Sequence, residues 1–204
     1  MLKKSILIGA ALALSTIAEP ITLIAQQDYW QYSVLSTNLD ASLATVNYGT
    51  VDWDALSWSD GQAAFAEEIN SSPLVRHTIW SADQDLALQK MVTIDGTFNG
   101  DLTLNLALDN GAIVFVNGNE VFRDVAEGNT EYWEYTHSVS NSFFHQGKNI
   151  IQVLAEDHGG NTYFDMRLTG DVTPSSVPEP SMLMLALCGF AVIASSSFFM
   201  KKIQ

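Results

Sequence analysis

The sequence predicts an all-β fold, an antiparallel β-sandwich or jelly roll, flanked by an N-terminal signal helix and a C-terminal transmembrane helix. Three observations carry this. Apolar and polar residues alternate through the middle of the chain, the period of strands with one face in a core. Turn signals built on Asn, Asp and Gly separate those runs at short intervals. Two uncharged apolar runs stand at the two ends, the positions of targeting segments.

Residues 1–25 read MLKKSILIGAALALSTIAEPITLIA. Lys3 and Lys4 form a positive start and Ser5 to Ala18 a short apolar stretch, the pattern of a signal peptide. Two cleavage positions compete: after Ala25, with Leu23 at −3, and after Ala18, with Thr16 at −3. A retained anchor is the alternative to cleavage.

Residues 26–172 form the expected sandwich. Leu102, Leu104, Leu106 and Leu108 alternate with Thr103, Asn105 and Ala107. Trp133, Tyr135, His137 and Val139 do the same, as do Phe164, Met166 and Leu168. Val75–Trp80 and Asn149–Ala155 also have the composition of strands. Asn117-Gly118, between Ile113–Val116 and Val121–Phe122, supplies the two positive-φ positions of a type I′ turn and predicts a tight hairpin. Asp109-Asn110-Gly111, Asp95-Gly96, Asn99-Gly100 and Gly159-Gly160-Asn161 mark further turns. Asp54–Asn70 is the one stretch with room for a short helix, interrupted at Ser59-Asp60-Gly61. Trp30 and Trp80 are expected in the core.

Residues 173–180 read as a linker and 181–200 as a transmembrane helix, twenty residues without charge, the length that crosses a hydrocarbon core. The basic end, residues 201–204 with Lys201 and Lys202, would stay on the cytoplasmic side. Just before the apolar run stands Pro178-Glu179-Pro180, held extended by its two prolines. Val-Pro-Glu-Pro-Ser, an apolar span and a basic end, in that order, resemble the PEP-CTERM sorting signal, with a lysine pair in place of an arginine-rich end. The resemblance implies processing by an exosortase-type membrane protease, after a stage in the inner membrane. It implies delivery to the cell surface or extracellular matrix of a Gram-negative-type bacterium, often one that makes extracellular polysaccharide. A plain single-pass anchor is the alternative.

Leu102–Arg123, LTLNLALDNGAIVFVNGNEVFR, together with Gly147–Asp157 and Tyr163–Leu168, resembles a recurring piece of galactose-binding-like β-sandwich domains. Such domains bind sugars or act as accessory modules, so the resemblance implies a carbohydrate-binding partner surface for extracellular polysaccharide. Sugar sites need exposed aromatic rings for the C–H faces of the sugar. Trp133 with Tyr132, and Trp58 in an acidic loop-like stretch, are the aromatic candidates. Asp109 and Asn110 at a strand end, and Asp157, His158 and Asn161 in their loop, are the polar ones, able to grip hydroxyls. Turn capping is the other use of such Asp and Asn residues. Calcium is the cofactor that an acidic exported sandwich favours. Similar sandwiches carry one near such a C-terminal strand, which singles out Asp165, expected on the side of its strand away from the core.

Charge narrows the partners. The net charge is −14, and the body is more acidic still, because every acid except Glu19 lies within residues 26–180 while only Arg76, Lys90, Arg123, Lys148 and Arg167 stand there as bases. Such a surface repels nucleic acid and anionic lipid. The single cysteine, Cys188, lies in the C-terminal apolar run, so the body has neither an internal disulfide nor a thiol nucleophile. His77, His137, His145 and His158 show no zinc spacing, and neither a Gly-x-Ser-x-Gly elbow nor a phosphate loop is present. Catalysis is therefore not expected. A structural protein of a biofilm or cell coat, without a sugar site, is the main rival to sugar binding. A glycan-active hydrolase is the weaker one.

Overall fold

The computed structural model describes residues 19–36, 39, 43–67, 75–125, 135–159 and 161–175. Thirteen strands run in order: β1 Glu19–Ile24, β2 Tyr29–Val34, β3 Ser59–Gln62, β4 Phe65–Ala66, β5 Thr78–Ile79, β6 Leu86–Ile94, β7 Thr97–Phe98, β8 Leu102–Asp109, β9 Gly111–Val116, β10 Asn119–Asp124, β11 Tyr135–Val139, β12 Gly147–Glu156 and β13 Tyr163–Thr173. They form two sheets. The seven-stranded sheet runs β11-β8-β13-β4-β5, with β1 and β7 also paired to β13, and the six-stranded sheet runs β10-β9-β12-β6-β2-β3. Every pairing is antiparallel except β4 with β5.

The inner faces of both sheets meet in one core. Leu104, Leu106, Phe164 and Met166 come from the seven-stranded sheet, and Leu88, Val114, Ile151 and Val153 from the six-stranded one. All eight are at most 1% exposed. This is what the alternation expressed: each strand turns every second side chain inward. Trp30 and Trp80 are both buried, as the sequence predicts, and Trp30 packs edge-on against Phe164 at 5.9 Å. The hairpin at Asn117-Gly118 is present, with φ of 51° and 79° at its two central residues.

β9, Gly-Ala-Ile-Val-Phe-Val, is buried at all six positions. Its second face carries Ile113 and Phe115, which join Ala87 and Leu154 in a separate apolar cluster on the outside of the six-stranded sheet. Leu39, Leu43, Val46 and Trp53, from the long connection between β2 and β3, close over it. A strand covered on both sides has no polar face, which is why its sequence is a continuous apolar run.

Two expectations change. Asp54–Asn70 holds no helix over its described part: one 3-10 turn, Trp53–Ala55, is followed by β3 and β4. Pairing decides it. Gly61 sits opposite Trp30, and any side chain there would collide with Phe65, Thr78 and Tyr32, so this segment is a sheet edge rather than a helix. The strand expected over Val75–Trp80 shrinks to Thr78–Ile79. Within the stretch expected as signal peptide, Glu19–Ile24 is a strand paired with β13, and Ile24 is fully buried in the core.

The chain divides into two units at Thr173 and Pro174. Residues 1–18 of the expected signal peptide 1–25, the expected sorting motif Pro178, Glu179 and Pro180, the span 181–200 and Lys201 and Lys202 lie outside the described residues. Among the described residues no helix is long and apolar enough to cross a membrane.

Candidate functional site

The outer face of the six-stranded sheet brings together stacked aromatic rings and a row of carboxamides. Three aromatic rings form a stack. Tyr48 lies against Trp53 at 5.5 Å with 19° between planes, and Trp53 lies against Trp58 at 6.4 Å with 8°. Trp53 is buried and anchored, its indole N–H donating to the Tyr48 carbonyl oxygen at 3.0 Å. Trp58, at the end of the stack, is half-buried and packs beside the outer apolar cluster. A ring fixed from behind by two others loses little freedom when a ligand lands on it.

Beside the stack runs a row of amides. Antiparallel register sets Asp60 opposite Gln31, Gln31 opposite Gln89, and Gln89 opposite Gln152. Directly opposed residues share a face, so the four side chains cross the sheet in one line. The Gln89 Nε2 donates to the Gln31 Oε1 at 3.0 Å. Gln152 is 2% exposed, and its carboxamide oxygen has no hydrogen-bond partner among the described residues. Next to the row lies an open groove of about 530 Å³, bounded by Tyr29, Gln31, Asp60, Gln89 and Met91 among others. Tyr29 is 65% exposed and Met91 55%, so the groove, which Asp60 and Lys90 also line, carries apolar as well as charged surface.

Of the aromatic candidates read from the sequence, Trp58 lies on this face, alongside Gln31, Gln89, Gln152 and Tyr29, which the sequence did not single out. Each glutamine is the polar position in an otherwise ordinary alternating strand. Only the pairing of β2, β6 and β12 shows that they align.

The other predicted polar residues gather elsewhere, in a buried network of the turns after β8 and β12. Asp109 (3% exposed) and Asp157 (fully buried) face inward rather than into a sugar-accessible loop, which corrects the expectation for both. One Asp157 oxygen accepts from the backbone N–H groups of Asp83 (2.6 Å) and Gly159 (2.9 Å), and the other from the Thr162 hydroxyl (2.9 Å). Asn110 is 9% exposed, and its side-chain oxygen accepts from the His158 N–H at 2.8 Å. His158 stands 3.7 Å from Glu156, and Asn161 is exposed. These groups cap backbone donors, the use that Asp and Asn commonly have in turns. Burial, reinforced by the neighbouring Asp157 charge, pushes the Asp109 carboxyl up to about 6.

Asp165 does lie on the side of β13 opposite Phe164 and Met166, but it is not open to solvent. It is fully buried and accepts from the Gln27 N–H through both oxygens (3.2 and 3.1 Å) and from the Met166 N–H at 2.8 Å. Burial raises its carboxyl to about 7 in spite of those bonds. Among the described residues no group of three or more His, Cys, Asp or Glu side chains is placed to hold a metal ion. Trp133 and Tyr132 lie outside the described residues.

Fold and surface together define an antiparallel two-sheet β-sandwich with an aromatic and amide-lined outer face. No family model matches the chain, and no curated protein matches it. Among solved structures it is similar to a β-glucuronidase of Faecalibacterium prausnitzii, at 11% identity over 80% of this chain and 33% of that one, with a TM-score of 0.47. It is also similar to a β-glucuronidase from Ruminococcus gnavus in complex with uronic deoxynojirimycin, at 9% identity over 78% of this chain and 30% of that one, with a TM-score of 0.49. The chain thus spans about a third of the length of these proteins.

Proposed function

We propose that this is an exported surface or matrix protein, sorted by an exosortase-type protease, whose sandwich binds neutral polysaccharide without catalysis. The observation that carries the binding reading is the Trp58 stack standing on the same sheet face as the hydrogen-bonded Gln31–Gln89 pair and Asp60. Sugars offer alternating hydroxyl edges and C–H faces. Carboxamides both donate to and accept from hydroxyls, and an indole packs on the C–H face. Neutral chains fit better than uronic-acid chains, because Asp60 on this face and the overall charge of −14 oppose carboxylates. The export and sorting part rests on the two end segments of the sequence, Pro178-Glu179-Pro180 above all. Calcium remains a proposed addition, to be read by the same experiment.

The test is a glycan array probed with the exported protein, with and without calcium. Binding to a neutral glycan is expected, weakened at least ~10-fold by Trp58→Ala, the loss of one stacked anchor at roughly 1.4 kcal/mol or more. Binding to no glycan would overturn the sugar reading in favour of a structural coat protein. That second reading draws on exposed Tyr29 and Met91, which bound the same groove and offer apolar surface to other copies.

A further inference from the structure

The first strand carries an inference about processing, and it rests on the export reading above. β1 is built into the sandwich. Its residues pair with β13 from Glu19 opposite Val172 to Ile24 opposite Leu168. β8 holds the other side of β13, since Leu168 and Thr169 pair with both strands. Ile24 is fully buried in the shared core. The turn that follows is fixed as well. Gln27 has a positive φ of 60°, its N–H donates to Asp165, and its carbonyl accepts from the Gln62 side chain at 3.0 Å.

Two alanines offer ends for a leader, Ala18 and Ala25. A cut after Ala25 would strip β1 from the mature protein. It would leave an empty place where Ile24 sat and bare the free edge of β13 to pairing with other chains. A cut after Ala18 keeps all of β1. It also puts Thr16 at the −3 position, where a small residue is preferred, in place of Leu23. Cleavage happens on an unfolded chain during export, so burial does not shield Ala25. Only one of the two products retains the whole sheet.

We infer that the leader is removed between Ala18 and Glu19, so that the mature chain begins with the first residue of β1. The step hydrolyses the Ala18–Glu19 amide: one water is consumed, Ala18 keeps a carboxylate and Glu19 gains a free α-amine.

The full chain, expressed in a Gram-negative host with its own export machinery, gives the test. Mass spectrometry of the exported product should find Glu19 as the first residue. In the full chain, Ala18→Arg should abolish that product, and Ala25→Arg, at an exposed position, should leave it unchanged. An exported product starting at Gln26, or at any other residue, overturns the inference and leaves export standing. An uncut chain in the wild type and both variants overturns it together with the leader itself.

Discussion

At the scale of single residues, Asp165 makes the sharpest prediction. Its carboxyl has an ordinary value of 3.8 when unfolded and about 7 in the fold, because burial penalises the charge more than the Gln27 and Met166 amides repay it. Between those values the folded protein binds more protons than the unfolded one, so stability falls as pH rises from about 4 to 7 and then levels. The stability present at acid pH and lost at pH 8 is on the order of 4 kcal/mol at most, from about 1.4 kcal/mol per unit. Asp109, raised to about 6, adds a smaller loss of the same sign. Asp165→Asn keeps an acceptor for both amides and removes the charge. Its thermal melts should therefore be higher than wild type at pH 8 and flatter across pH 4–7. A wild-type pH slope surviving in that variant would show that the buried carboxyl is not its source.

At the scale of elements, two glycines separate backbone strain from crowding. A Cβ on Gly118 would meet nothing closer than 3.5 Å, but its φ is +79°, so Gly118→Ala should cost about 1–2 kcal/mol through the hairpin backbone alone. Gly61 has no such φ, yet its Cβ would lie 2.8–2.9 Å from Phe65, Thr78 and Tyr32. Gly61→Ala should therefore cost about 1–3 kcal/mol by overpacking. Urea melts of the two variants check both, and the Gly61 variant alone should change the near-ultraviolet signal of the core aromatics. The contrast also explains what the sequence made legible. Asn117-Gly118 announces its turn locally, and so does the alternation of β8, β11 and β13. Gly61 announces nothing, because its reason is three side chains brought in from β2, β4 and β5. The Asp54–Asn70 helix failed on that distant packing. The same distinction holds in the site. Trp58 is visible as an exposed-looking aromatic, whereas Gln31, Gln89 and Gln152 become a row only through register. Asp157 and Asp109 were legible as turn residues but not as buried ones, since burial is set by the segments that fold over them.

At the scale of the whole molecule, the last strand is the hub of the first sheet. β13 pairs with β1, β4, β7 and β8, drawn from both the start and the middle of the described chain. Phe164, Met166 and Leu168 from this strand fill the core between the sheets. No disulfide supports the body, whose sequence has no cysteine before Cys188. Cohesion therefore depends on apolar burial that is completed only when β13 arrives, and the pairings are of long range, which slows folding. A chain stopped before Tyr163 would leave the free sides of β4 and β8 unpaired and the Trp30 ring without Phe164. Such a chain should show no cooperative melt and no near-ultraviolet signal from buried Trp30 and Trp80. A chain stopped after Ser175 keeps every described strand and should melt as the full protein does. Comparing the two by circular dichroism decides whether the fold is complete at the end of β13. It also bears on the proposed sorting: if Ser175 ends the cooperative unit, the proposed cut at Pro178-Glu179-Pro180 would fall beyond it and leave the sandwich whole.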